Sequence, residues 1–432
     1  MSDLRTNLQR LADSADPLPV DDDLWQRGQA SRRRGQALVV AAVLAIIASV
    51  TWSAVLLGTG DREARTASTD VVPGGAIPSR IDDIPSDLEV TTQLDLGLAS
   101  AAFISSTTSD PVVITATDGV PHRLGLPGWI RDGTELGERV NQSLALSPDG
   151  TRLAWQAADS DDGHPVIGVL DLSTGEWKAY AQSPGAGIRL REMSWSPDSA
   201  WLAWIADDLP NVQVGRLRPG SAPQSDVTAL TANIQDVAVS ADGTLVISRP
   251  SGGLYEVEGD DATRLTRADG VGAGRFSPDG RQLSLRSGID PTSFTLDLAT
   301  GKVLEHPFPA GTFEDAAVLQ QGWLDDRLQL LLVQSSAMPD QREMVVTTPT
   351  VGPTSTWRRS VGLVEAGPAV DLSLAVDLVP DLDGTSSQQL THDFGDPFGS
   401  DPRDLSWIIG LGVAAAIAVL MALRWLLRRL LG

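Results

Sequence analysis

One four-residue phrase recurs down the chain: Ser147-Pro148-Asp149-Gly150, Ser196-Pro197-Asp198-Ser199, Ser240-Ala241-Asp242-Gly243 and Ser277-Pro278-Asp279-Gly280. Successive copies begin 49, 44 and 37 residues apart. Repetition at such a period means stacked copies of one supersecondary unit, none able to bury its apolar face alone. Each copy has the same surroundings. Alternating apolar or small residues precede it (Leu144 and Leu146, Met193 and Trp195, Val237 and Val239, Gly274 and Phe276), and a second apolar stretch follows, as in Leu153-Ala154-Trp155 and Leu202-Ala203-Trp204. Alternation on both sides reads as two strands joined by a turn. Proline presets φ for the first central turn position, aspartate bonds local backbone, and glycine accepts the positive φ at the exit.

A second echo completes the unit. Val169-Leu170-Asp171-Leu172-Ser173-Thr174-Gly175-Glu176-Trp177 matches Thr295-Leu296-Asp297-Leu298-Ala299-Thr300-Gly301-Lys302-Val303, a strand, a tight turn and a strand. Four short strands per repeat specify a β-propeller blade. Weaker copies extend the array to Gly322-Trp323-Leu324-Asp325-Asp326 and back to the strands at 101–105 and 111–117. At about 45 residues per blade, residues 87–380 hold six or seven four-stranded blades.

The phrase, best seen in Trp195-Ser196-Pro197-Asp198 and Phe276-Ser277-Pro278-Asp279-Gly280, resembles the repeat of TolB-like propellers, relatives of the WD-repeat propellers. The resemblance covers most of 90–350 and implies the fold. It implies little about activity, since propellers host enzymes, receptors and scaffolds.

Both ends point to a membrane. Residues 37–57 and 405–423 are uncharged apolar runs, each long enough to cross a hydrocarbon core. Arg32, Arg33 and Arg34 precede the first; Arg424, Arg428 and Arg429 follow the second. By the positive-inside rule both termini are cytoplasmic and the propeller lies outside. The expected layout is a cytoplasmic segment 1–36, a helix 37–57, a linker 58–86, the propeller 87–380, a linker 381–404, a helix 405–423 and a basic tail 424–432. All but two of the 33 basic residues (Lys178 and Lys302) are arginine, which with this layout suggests an actinobacterial cell membrane.

Charge and residue types exclude several chemistries. Of the net charge of −23, residues 1–36 carry none and 405–432 carry +3, so the intervening chain holds −26. Nucleic acid, which needs a basic face, is not an expected partner. With no cysteine, thiol nucleophiles, zinc–thiolate sites and iron–sulfur clusters are excluded. The four histidines (His122, His164, His306, His392) show no ligand spacing, and Asp159-Ser160-Asp161-Asp162 lacks the glycine and terminal glutamate of a calcium loop. No G-x-S-x-G elbow occurs. The acidic pairs Asp207-Asp208, Asp260-Asp261 and Asp325-Asp326, like the phrase aspartates, read as turn residues. Gly270 to Gly274 reads as a connector between blades.

The expected function is therefore non-enzymatic, without cofactor or metal. A membrane-tethered propeller binds a protein, peptide or envelope ligand outside the cytoplasmic membrane, as sensor or scaffold, through the variable loops between phrase copies. One alternative is an anti-sigma-factor-like regulator holding a sigma factor through residues 1–28, where Leu4, Leu8 and Leu11 share a helical face. A second is an envelope hydrolase or lyase working through channel acids, whose physical mark would be perturbed carboxylates in a cleft.

Overall fold

The computed structural model describes residues 71–398 except 130–143, 159–164, 182–188, 209–210, 222–223, 226–233, 251, 260, 267–270, 288–291, 308–316, 336–337, 348–357, 369–370, 384 and 386, and also describes 421, 424 and 425. Two short strands come first, β1 (Arg80–Ile81) and β2 (Val90–Thr91). Blade I has β3 (Ala99–Ile104), β4 (Pro111–Thr115) and β5 (Pro121–Leu124). Blade II has β6 (Leu144–Leu146), β7 (Arg152–Ala158), β8 (Pro165–Asp171) and β9 (Trp177–Ala181). Blade III has β10 (Arg189–Trp195), β11 (Leu202–Asp208), β12 (Asn211–Leu217) and β13 (Gln224–Ser225). Blade IV has β14 (Val237–Val239), β15 (Leu245–Ser248), β16 (Leu254–Glu258) and β17 (Asp261–Thr266). Blade V has β18 (Val271–Phe276), β19 (Gln282–Ser287), β20 (Thr292–Asp297) and β21 (Lys302–Pro307). Blade VI has β22 (Ala317–Trp323), β23 (Gln329–Gln334), β24 (Gln341–Thr347) and β25 (Arg358–Glu365), and β26 (Ser373–Leu374) comes last.

These strands form six sheets, antiparallel apart from one added edge strand in each of two, whose innermost strands touch one another in sequence. The ring therefore has six blades, the lower of the two expected counts. Blades II to V are four-stranded, whereas the first and last have five. The difference arises at the closure. β26 pairs antiparallel with β3, Ser373 opposite Ala102, and supplies the innermost strand that blade I lacks. The turn after it is a worn sixth copy of the phrase, Ala375-Val376-Asp377-Leu378. Leu378 N donates to Ala375 O at 3.1 Å, as Gly150 N does to Ser147 O at 2.9 Å. Meanwhile β1 adds parallel to β25 in blade VI and β2 adds parallel to β5 in blade I. The first described segment thus bridges the outer edges of the blades that the last segment joins at the axis.

The boundaries expected for the linkers shift accordingly. Ile77 and Ile81, read as linker, are buried in the core between blades VI and I. So is Leu390, and His392 N donates to Ile77 O at 2.8 Å. The apolar runs 37–57 and 405–423, with Arg32, Arg33, Arg34, Arg428 and Arg429, lie outside the described residues apart from Met421; Arg424 is described. Residues 159–162, His164 and the segment 1–28 also lie outside them. Among the described residues no helix is long and apolar enough to cross a membrane.

The phrase is built the same way each time. Ser147, Ser196 and Ser277 Oγ donate to Asp149, Asp198 and Asp279 Oδ1 at 2.5, 2.6 and 2.7 Å, and Ser240 Oγ donates to Asp242 Oδ1. Each serine also accepts a backbone N–H from the start of the next strand, Arg152, Trp201, Thr244 or Gln282. Serine thus satisfies two groups the tight turn would otherwise orphan.

Among the four full copies, the second lacks glycine and has a compensation. Ser199 sits at φ +58°, a region that costs a non-glycine residue about 1 kcal/mol. Its hydroxyl accepts the Asp149 N–H of the preceding blade at 3.1 Å, and its carbonyl accepts Arg152 Nη1 at 2.9 Å. We expect Ser199→Ala, which keeps the strain and loses the hydroxyl, to destabilise by about 1–2 kcal/mol. Ser199→Gly, which releases both, should be near neutral. Denaturant midpoints of the two variants check the order.

Candidate functional site

The channel-facing strands hold the charge the core cannot. Strand β10 has a register break between Leu190 and Glu192, β18 between Ala273 and Phe276, and β22 between Gln320 and Gly322. Bulges re-aim side chains and gather beside functional surfaces. Here the extra residues bring Arg191, Glu192 and Arg275 into one cluster.

Arg286 of β19 donates to Asp236 Oδ1 at 3.0 Å and lies 3.1 Å from Glu192 Oε1. Arg275 Nη1 donates to Ser194 Oγ. Blades III and V are separated by blade IV, so the Glu192–Arg286 and Ser194–Arg275 contacts span the channel face of blade IV, while Asp236 joins Arg286 from blade IV itself. Asp236 Oδ2 accepts Ser248 Oγ–H at 2.8 Å, and Arg191 pairs with Asp207 at 3.3 Å. Three guanidinium groups therefore meet three carboxylates across three blades.

Two glycines make the room. A Cβ on Gly272 would lie 2.0 Å from Asp236 Oδ2, and one on Gly274 would lie 2.4 Å from Gln320 Oε1. The segment expected to be a connector is thus an innermost strand, and its glycines admit polar side chains from neighbouring blades. The gain is packing space rather than a phosphate loop.

Burial shapes the ionisation of the cluster. Glu192, whose side chain is 16 % exposed, is pushed up to about 7 by loss of water, with Asp236 adding to the rise and Arg286 opposing it. Arg275 is pushed down to about 10, chiefly by burial and then by Arg286. Arg286 is held high by Glu192.

The cluster lies below a mouth formed by the repeated turns. Pro148, Pro197, Pro278 and Val376, from four copies of the phrase, surround a cleft with Trp195, Trp323 and Phe276, while Arg275 and Asp377 are its charged lining residues. Trp195 Nε1 donates to Ala145 O at 3.0 Å and Trp323 Nε1 to Arg275 O at 2.9 Å, each indole locking one blade to the one before it. Asp377 is pushed up to about 6 by burial and then by Asp149. Ser147, Asp149, Gly150, Ser196, Asp198, Ser277, Asp279 and Gly280 form the turns that carry the prolines to this mouth, whereas Ser240, Asp242 and Gly243 form a turn with alanine in place of proline, whose Ser240 and Asp242 line a separate cleft with Pro278. The phrase is therefore part of the candidate surface, and not only punctuation between variable loops.

Other acids stay in turns. Asp325 Oδ1 accepts the N–H groups of Arg327 and Leu328, and Asp326 Oδ1 accepts Asp279 N–H at 2.9 Å. Asp207 and Asp208 differ, lying in β11, where Asp207 pairs with Arg191, and Asp261 opens β17. His306 is buried against Thr295 Oγ1 at 2.9 Å. Among the described residues no three His, Asp or Glu side chains are grouped to hold a metal.

The raised carboxylates set a pH dependence. A carboxyl whose folded pKa is raised holds its extra proton in the folded state, so its contribution is full below the unfolded value and is lost as pH rises through the folded value. For Glu192 that window runs from the ordinary carboxyl value of 4.5 to about 7, and for Asp377 from 3.8 to about 6. Asp83, Asp171 and Asp242, held low by hydrogen bonds that outweigh burial only in sum for Asp83, act oppositely and lose their contribution as pH falls below their unfolded value. His122, lowered by burial, also loses its contribution on acidification. Comparison with Glu192→Gln isolates one group. We expect thermal scans to show wild type losing stability relative to this variant between pH 5 and about 7 and running parallel to it above. A constant difference across that window would remove the assignment.

No protein-family model matches the sequence, and no curated protein matches it. Solved structures resemble it in outline. TolB from Acinetobacter baumannii is 16 % identical with a TM-score of 0.41, over 66 % of this chain and 68 % of that one. The periplasmic gluconolactonase PpgL of Pseudomonas aeruginosa is 16 % identical with a TM-score of 0.38, over 62 % and 83 %. Porphyromonas gingivalis dipeptidyl peptidase 4 is 12 % identical with a TM-score of 0.35, over 55 % and 41 %. Likeness at that level says nothing about activity.

Proposed function

We propose that this chain is a binding propeller tethered at the outer face of a bacterial cytoplasmic membrane by residues 37–57 and 405–423, taking a protein, peptide or envelope ligand on the face formed by its repeated turns. The observation that carries the reading is the mouth itself. Proline and indole edges from different blades form a preorganised rim over a charged neck, the mix of apolar wall and few polar groups that recognition sites use. The rim is rigid because its prolines have fixed φ and its indoles are hydrogen bonded across blades, so little ordering entropy opposes binding. In this reading the chain is a binder and not an enzyme. Crosslinking in native membranes followed by mass spectrometry tests it, since one experiment names a partner and reports which segments face it. A partner bound to residues 144–376 supports the reading; adducts confined to cytoplasmic proteins overturn the topology.

One observation favours a second reading, an envelope hydrolase or lyase using a channel acid. Glu192, at about 7, is able to exchange a proton near neutrality. Against it, the carboxylate is engaged by Arg286 and largely shielded. Turnover of any envelope polymer that disappears in Glu192→Gln while the fold is kept would favour this reading over the first.

A further inference from the structure

We infer that the cleft between blades IV and V is an arginine site, taking the guanidinium of an arginine carried by a polypeptide partner on the face formed by the repeated turns. This names the partner chemistry for the binding reading above and rests on it.

At three of the four full copies of the phrase, the preceding blade supplies a donor to the fourth residue's carbonyl. Gly150 O accepts Ala99 N–H at 2.9 Å, Ser199 O accepts Arg152 Nη1 at 2.9 Å, and Gly243 O accepts Arg216 Nη1. Gly150, Ser199 and Gly243 are all buried. Gly280 is turned in the same way, at φ +68° against +72° for Gly150, and its N–H donates to Ser277 O at 2.9 Å. Its carbonyl has no donor among the described residues. A Cβ on Gly280 would meet nothing within 4 Å, whereas one on Gly243 would lie 2.9 Å from the Trp201 ring. The cause lies in the residues of blade IV. Val246 pairs with Glu256 where Ala203 of blade III pairs with Arg216, so an acid stands in the register position of the capping arginine. Thr244 stands where blade II has Arg152, each donating its backbone N–H to the phrase serine. At neither position does blade IV offer a guanidinium to blade V.

The junction holds instead a cleft of about 340 Å³, a size common among ligand sites. Asp242, Glu256 and Asp279 line it together with the apolar Leu265, Phe276 and Leu298, and no lysine, arginine or histidine does. Asp279 has Arg281 at 3.7 Å, a solvent-exposed pair of little strength. No ion pair engages Asp242 or Glu256 among the described residues. Carboxylates beside apolar surface suit a side chain with an apolar stem and a cationic head. Arginine suits the place better than lysine, because its fork meets a carboxylate with two N–H groups and keeps others for a carbonyl. Glu256 takes the fork, and Gly280 O takes the bond that Arg216 gives to Gly243 O one blade earlier. Residues 37–404 carry −26, which draws a basic segment towards the propeller. Phe276 and Pro278 line both this cleft and the mouth, so the two form one continuous surface.

The test uses the full-length protein in nanodiscs and three hexapeptide libraries with both ends blocked, random except for one position fixed as arginine, lysine or citrulline. The expected result is retention in the order arginine, lysine, citrulline. Selected peptides should lose at least about tenfold in affinity when citrulline replaces arginine, as loss of a charge-assisted pair requires. Glu256→Gln should remove most of that difference. Glu256→Arg, which repeats the pattern of blade III, should abolish retention and leave the denaturant midpoint no lower than that of Glu256→Gln. A lower midpoint would contradict the match between Glu256 and Arg216. Equal retention of the arginine and lysine libraries would mean long-range attraction alone and overturn the arginine site, while leaving the binding reading intact. Retention of none would overturn the arginine site as well, and crosslinking in native membranes then decides the binding reading by itself. An arginine preference unchanged in both Glu256 variants would place the site elsewhere and overturn it here.

Discussion

A chain cut after Glu365 is expected not to fold. The cut removes β26, only two residues of ladder, but those residues close the ring. Leu372, Leu374, Val376, Val379 and Leu390 are all buried beside Ile77, Ile81, Phe103, Leu330 and Met344. At roughly 1.5–3 kcal/mol per buried side chain, their loss amounts to about 10 kcal/mol, as much as a domain's whole stability. Ser373 Oγ would also go; it accepts Leu146 N–H at 3.0 Å and donates to Leu146 O at 3.2 Å, stitching the closing strand to blade II. Leu374→Ala is the milder form, expected to cost about 2–5 kcal/mol. Circular dichroism of the truncated chain and the denaturant midpoint of the point variant read both. A truncated chain that still melted cooperatively would mean the closure is dispensable.

Adding one methyl group at Gly168 or Gly215 should be nearly as damaging. In blades II and III a buried tryptophan faces a glycine in register, Trp155 opposite Gly168 and Trp204 opposite Gly215. A Cβ at Gly168 would lie 2.5 Å from the Trp155 ring, and one at Gly215 would lie 2.3 Å from Trp204. Both indoles are fully buried, so neither ring has a free end to swing aside. Overpacking of this kind costs about 1–3 kcal/mol and sometimes more. We expect Gly215→Ala to fall at the upper end. Combined with Trp204→Leu, which removes the obstructing ring, the two changes should cost less than their sum. Such coupling is the mark of a shared cavity. Additive midpoints would show that the pair does not constrain blade III.

The blade pattern was legible because a blade is local. The strands at 144–146 and 152–158 are consecutive, their turn needs serine, proline and aspartate, and the Thr-Gly turns mark the next hairpin. Even the weak copy at 322–326 sits at its expected place, between β22 and β23. The closure was not legible because its turn kept only Asp377 of the phrase. The clasp strands β1 and β2 are two residues long and pair with strands 283 and 33 residues away, counting Arg80 to Leu363 and Val90 to Arg123, so neither carries a periodicity of its own. The charge cluster was hidden for a similar reason. Glu192, Asp236, Arg275 and Arg286 lie on three consecutive blades, 94 residues apart at the extremes (192 to 286), and meet only where those blades face the channel. The signals within reach were a charged pair, Arg191-Glu192, just before a buried tryptophan strand end, and glycines 272 and 274 in a strand that had no turn to make.

The central claim is that this propeller works through the mouth formed by its repeated turns. The most direct measurement installs a photo-crosslinking side chain at Pro278, on the rim, and separately at Lys302, in the outermost strand of the same blade, in cells that make the full chain. Capture of one partner from Pro278 and none from Lys302 is the result expected. Capture from Lys302 alone would contradict it and move the working surface to the outer edge of the ring.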